Sequence, residues 1–242
     1  MLPLLNRIKR RLLKNGQIKR FLIYTLGEIF LVVVGILIAL QIDNWNIQRK
    51  NRIREVAILK QLHADFQSNK VQLDSIKYFN QLAIDYCDII ISLMPFEKDY
   101  VASMDTINQL APKVWNTKTF NPTNGSIEAL ISSSSFEIIQ NDTLRNLLAK
   151  WKDVYSDYSE EEQATRNFVL NEVSPYFREE FDYLNVMAAS NRKMMSSKKF
   201  RNLWFDIKGY RQQIIQSMKE EKVAWHIDEI IRLTKPNAPS TQ

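Results

Sequence analysis

The run from Phe21 to Ile42, FLIYTLGEIFLVVVGILIALQI, holds one charged residue and limits the chain more than any other feature. As a helix it is about 33 Å long, against a hydrocarbon thickness of about 30 Å. Tyr24 and Trp45 fall near its two ends, where amphipathic rings settle at a membrane–water boundary. A cleaved signal peptide would have a shorter apolar run and small residues before the cut, which Leu40-Gln41-Ile42 does not supply. A buried core helix fits poorly with unbroken apolar or glycine residues from Ile29 to Leu40 and basic flanks. The expectation is an uncleaved transmembrane anchor.

The basic balance of the chain belongs to the flanks of that run. Residues 1–20 carry seven Lys/Arg and no acid, and Arg49, Lys50, Arg52 and Arg54 follow the span. Net charge reaches +9 through residue 54 against +6 for the whole chain, so residues 55–242 carry −3. This argues against nucleic acid as a partner and for anionic lipid at the flanks. The stronger N-terminal cluster places the N-terminus in the cytoplasm and the large C-terminal part on the extracytoplasmic side, periplasmic in a Gram-negative cell. In LPLLNRIKRRLLK (residues 2–14), Leu5, Ile8 and Leu12 share one face opposite the basic residues, as in a helix lying on a membrane surface, with Gly16 as its stop.

Glu28 is the anomaly inside the span. At 100° per residue it shares a stripe with Gly35 and Ala39, a small-xxx-small pair that permits close helix approach. Glu28, Gly35 and Ala39 are therefore candidate helix-packing residues. Glu28 either hydrogen-bonds across such an interface or sits close enough to the surface to reach water; proton translocation is the third reading.

After the span, scarce glycine and 3-4 spacing predict an all-α helical bundle with a long first helix. Leu59, Leu62, Phe66, Leu73, Ile76, Ala83, Cys87, Ile90 and Met94 follow a coiled-coil-like pattern that predicts one helix from Trp45 until Pro95 ends it. Asn69 and Asn80 occupy in-register positions, where they fix register, mark a change of partner, or are solvated. A short helix is expected over 99–110, then an irregular stretch from Lys113 to Gly125 that Trp115 and Phe120 pin down. Ser126 is expected to cap IEALIS, the serine run 132–135 to break it, and Asp142 to cap a helix reaching Val173. Ser174-Pro175 opens a helix to about Asn185. A last helix is expected from Lys198 to Leu233, with Leu203, Ile207, Tyr210, Ile214 and Trp225 at apolar positions. The domain organisation is thus 1–17 basic amphipathic segment, 18–42 transmembrane helix, 43–234 helical bundle and 235–242 disordered tail.

No pattern carries recognisable chemistry. Cys87, the one cysteine, lies among apolar residues and reads as a small hydrophobe. Lys60 and Val223 stand three before His63 and His226, so the Glu-x-x-His pairing of a bundle di-metal site is absent. Glu160-Glu161-Glu162 reads as a solvated face, and metalloprotease, Walker and nucleophile-elbow motifs are missing. No catalytic, cofactor-binding or metal-binding residue is assigned, and no cofactor is expected.

Two stretches resemble a known family. Gly27-Glu28-Ile29 with LVVVGILIALQIDNWN (residues 31–46) resembles the N-terminal signature of a family of uncharacterised bacterial single-span membrane proteins. FNPTNGSIEALISS and NDTLRNLLAKWKDVYSDYSEEE are similar to that family's central motif, with Ser134 where the family has glycine. The resemblance implies a membrane location and a helical extracytoplasmic domain, and no activity. The reading is a non-enzymatic interaction or scaffold protein of the cell envelope, whose partners are the lipid bilayer and either itself or another envelope protein. The rival is a ligand-binding sensory bundle that relays to a partner membrane protein.

Overall fold

The computed structural model of the chain describes residues 17–96, 100–133 and 135–236. The N-terminal amphipathic segment through Gly16, Ser134 and most of the tail lie outside these residues. Every regular element among the described residues is helical. The chain divides into two compact units, Met1–Glu55 and Val56–Gln242.

The first helix, α1, runs Gln17–Ser92 without a break, because neither proline nor any glycine beyond Gly27 and Gly35 interrupts it. In the first unit it contributes one stretch long and apolar enough to cross a membrane, none of it buried against the chain. At the end of this stretch the Arg49 guanidinium lies 6.0 Å from the Trp45 ring. At its far end α1 stops at Ser92, three residues before the proline expected to end it. The Ser92 hydroxyl donates to the Ile89 carbonyl there, competing with the backbone ladder.

The second unit is a bundle built on the remainder of α1. Helix α2 covers Tyr100–Trp115, longer than expected: it continues through Pro112 because Ala111 and Val114 are drawn into the core. Residues 116–124 are irregular. Helix α3, Gly125–Ser132, starts after Asn124, and Ser126 does not cap it; the Ser126 hydroxyl is buried without a hydrogen-bond partner. A 3₁₀ turn at Phe136–Ile138 follows. Helix α4, Asp142–Phe168, is capped by Asn141 and not by Asp142: the Asn141 Oδ1 accepts from the Leu144 N–H at 2.9 Å.

Helix α4 passes into a π-helical turn, Val169–Val173, and then α5, Ser174–Glu180. Pro175 has no N–H to continue the ladder. The wider turn, in which the Ser174 N–H bonds the Val169 carbonyl, carries the chain past it. Helix α6 is Ala189–Met195.

The single last helix expected from sequence is two: α7, Lys198–Glu220, and α8, Val223–Thr234. They break at Lys222, held at φ 52° and ψ 34° in the left-handed region. That conformation costs a non-glycine residue about 1 kcal/mol, and no glycine announced it. The break resets the helical phase. Trp225, on the apolar face if the helix had continued, stands half exposed, while Val223, Ile227 and Ile230 enter the core.

Two apolar clusters form the interior. One gathers Leu62 to Ile76 of α1, the first half of α4, the end of α7 and all of α8. The other gathers Cys87 and Ile90 of α1, α2, the π turn, α5, α6 and the start of α7. Between them each of the three long helices carries buried polar residues: Asn80 on α1, Glu162 and Thr165 on α4, and Arg211 on α7.

Candidate functional site

The polar layer arises from helical phase. Tyr158, Glu162 and Thr165 lie on one stripe of α4 that Val169 of the π turn continues, and Ile207, Arg211 and Ile214 on one stripe of α7, so each polar residue is carried inward by its apolar neighbours. Burying a guanidinium and a carboxylate is costly unless their hydrogen bonds are made. Arg211 makes them from both Nη atoms, mainly to backbone, and leaves Nε buried without a partner. Its Nη2 donates to the Val114 carbonyl at 2.5 Å and to the Asn116 carbonyl at 3.3 Å, and its Nη1 to Asn80 Oδ1 at 3.0 Å. It thereby satisfies carbonyls at the end of α2. Burial lowers the Arg211 pKa, opposed by Cys87 and Glu162.

Glu162 holds the middle of the irregular segment. Both its oxygens accept from the Phe120 N–H, at 3.0 and 2.9 Å, and Oε1 accepts from the Tyr158 hydroxyl at 2.5 Å. Only 4% exposed, it is not part of the solvated acidic face expected from the sequence, although its helical phase with Tyr158 and Thr165 is a signal that would have placed it inside. Burial pushes its carboxyl up to about 7; the bonds from Tyr158 and Phe120 and the charge of Arg211 pull the other way. Burial, reinforced by the Glu162 charge, raises the Tyr158 phenol well above its ordinary range.

The rest of the segment is tied down residue by residue. Asn69 donates to the Thr123 carbonyl and accepts from the Thr123 N–H, the pairing a β-strand would offer. Gln72 accepts from the Asn121 N–H, and Trp151 Nε1 donates to Asn124 Oδ1. The Phe120 ring is fully buried, about 6 Å from the rings of Trp151, Tyr155 and Tyr158. Asn69 and Asn80 are therefore neither frayed nor solvated: one anchors this segment and the other receives Arg211. Trp115 and Phe120 pack as expected, Trp115 against Phe177 and Trp204. Although Arg211 Nε is buried without a partner, the other bonds of the layer make it a clamp on residues 116–124.

The second distinctive surface lies between α5 and α6. Asn191 of α6 is fully buried; its Oδ1 accepts from the Asp182 N–H and its Nδ2 donates to the carbonyls of Asp182, Asn185 and Val186. Asp182 Oδ1 accepts in turn from the N–H groups of Leu184 and Asn185. These bonds hold a loop that turns Leu184 100% outward, with Tyr183 and Met187 exposed beside it. Next to it lies an apolar cavity of about 230 Å³, walled by Trp115, Phe177, Phe181, Val186 and Met195.

The residues singled out from sequence are placed apart from both features. Glu28, Gly35 and Ala39 are exposed on α1, and nothing stands within 4 Å of a Cβ built on Gly35. Cys87 is fully buried, its thiol pushed by burial up to about 12. His63 Nδ1 lies 3.1 Å from the Ile231 carbonyl, tying α1 to α8. His226 is buried with neither ring nitrogen partnered, and burial together with Lys150 lowers its pKa. Among the described residues no group of three or more His, Cys, Asp or Glu could hold a metal ion.

A family model described only as a family of unknown function, DUF6090, matches residues 28–207. No curated protein and no solved structure matches the chain.

Proposed function

The chain belongs to the DUF6090 family of unknown function, and from that premise we propose a membrane-anchored, non-enzymatic interaction protein of the cell envelope. Residues 18–42 span the inner membrane once with the N-terminus inside, and the helical unit works on the far side, docking a second envelope protein or another copy of itself. An apolar helical stretch with none of its surface buried would be poorly solvated in water, which supports the anchor. Basic residues concentrated before the span support the orientation.

The observation that carries the interaction reading is the loop over residues 182–188. One exposed leucine means little. Three large apolar side chains within five residues, on a loop held by six side-chain hydrogen bonds, make a preorganised patch. The charged groups of the interior are engaged in holding residues 116–124, which favours a structural role for them over catalysis.

Placing a photo-crosslinking amino acid at position 184 of the full chain tests this. Irradiation of intact cells should give a discrete protein adduct from position 184 and none from Val71 on the exposed face of α1. Equal adducts at both positions, or none at 184, would overturn the docking role. A reporter active only in the cytoplasm, fused after residue 242, should stay silent; a strong signal would reverse the orientation.

A further inference from the structure

A groove of about 320 Å³ lies where α1, the end of α7 and the start of α8 meet, apart from the docking loop and independent of its role. Its floor is apolar, with Leu73 and Met218, and the exposed ring of Trp225 forms one wall. Lys77, Lys219 and Lys222 stand around it against a single carboxylate, Asp74. None of the three lysines forms an ion pair among the described residues. The neighbouring cation, Lys70, is by contrast engaged by Asp228.

Three observations separate this groove from ordinary solvated surface. It concentrates positive charge on a part of the chain, residues 55–242, whose net charge is −3. One of its lysines, Lys222, occupies a left-handed backbone position that glycine would fill without strain, and such outliers cluster at ligand-binding places. Its large exposed aromatic, Trp225, faces the same groove as the cations. We propose that this groove binds a small organic anion with an aromatic body, the ring stacking on Trp225 and the carboxylate or sulfonate held among the three lysines. The volume lies at the lower end of small-molecule sites, which begin at about 300 Å³, and suits a two-ring frame. Charge and shape act together here: the lysines alone would hold any anion weakly and in a salt-dependent way, and the aromatic wall selects those with a flat apolar face.

The test uses the full chain in nanodiscs of zwitterionic lipid, with empty discs as the blank. Binding of 2-naphthoate is compared with binding of its neutral relative 2-naphthamide by calorimetry. Naphthoate should bind about tenfold more tightly at low salt, and the ratio should shrink as salt rises. Lys77→Glu combined with Lys219→Glu should weaken naphthoate about tenfold or more and leave naphthamide within about twofold. Trp225→Ala should weaken both. All three positions are exposed, so the variants should keep the wild-type circular dichroism. Equal affinity for acid and amide, no binding of either, or full affinity in the double lysine variant would each overturn the proposal. Binding of a hexapeptide of alternating glutamate and phenylalanine where naphthoate fails would overturn it too, and assign the groove to an acidic protein segment.

Discussion

Glu162→Gln separates what the buried carboxyl does as a hydrogen-bond acceptor from what it does as an acid. A carboxyl titrating at about 7 in the fold and at its ordinary 4.5 when unfolded has its folded pKa raised. Its contribution to stability is therefore fully present below 4.5 and is lost as pH rises through about 7. Between about pH 8.5 and pH 5 the linkage is worth about 2.5 kcal/mol in favour of the lower pH. Glutamine is neutral at both values and still accepts from Phe120 N–H and Tyr158. The variant should thus match the wild type within about 1 kcal/mol near pH 5, where both side chains are neutral, and exceed it by about 2 kcal/mol more near pH 8.5. His226, whose lowered pKa works in the opposite direction, is present in both proteins and cancels in the difference. Glu162→Ala should lose stability at either pH. It orphans two buried donors, Phe120 N–H and Tyr158 O–H, at about 1–3 kcal/mol each. Urea unfolding of residues 56–242, followed by far-ultraviolet circular dichroism at the two pH values, measures all of this. A wild-type-minus-glutamine difference that is the same at both pH values would refute the reasoning, because the carboxyl would then be ionised throughout.

Asn69→Ala should free both the N–H and the carbonyl of Thr123, costing about 2–4 kcal/mol and raising hydrogen exchange selectively over 116–124. Lys222→Gly should raise stability by about 0.5–1 kcal/mol by relieving the left-handed backbone, read as a higher urea midpoint, while weakening naphthoate binding. Cys87 should resist a thiol-specific disulfide reagent in the folded protein and react once urea unfolds it, since the thiol is fully buried and its pKa lies at about 12. Gly35→Leu should reduce self-association of the isolated span in a membrane two-hybrid assay, with Glu28→Gln retaining most of it, if Glu28, Gly35 and Ala39 form a contact face. Each interhelical hydrogen bond there is worth on the order of 1 kcal/mol.

What the sequence determined by itself is what depends on local spacing. The apolar run, the 3-4 periodicity of α1 from Leu59 to Ile90, the scarcity of glycine and the Ser174-Pro175 start each set helix without reference to any distant residue. They made the all-α class, the long first helix and most core positions legible. The tertiary structure decided everything that turned on a partner far along the chain. Glu162 looked solvated among three glutamates because its partner, the Phe120 N–H, is 42 residues away. Asn69, Asn80 and Arg211 could be placed on inward stripes, yet only packing showed that backbone of residues 114–123 satisfies Asn69 and Arg211 and that Asn80 accepts from Arg211. The α7–α8 break escaped notice for the same reason. A lysine carries no intrinsic signal for the left-handed region, and Lys222 is held there because the turn brings Val223, Ile227 and Ile230 into the core. Periodicity is a property of one helix, whereas satisfaction of a buried polar group is a property of several, and no spacing within a single segment encodes it.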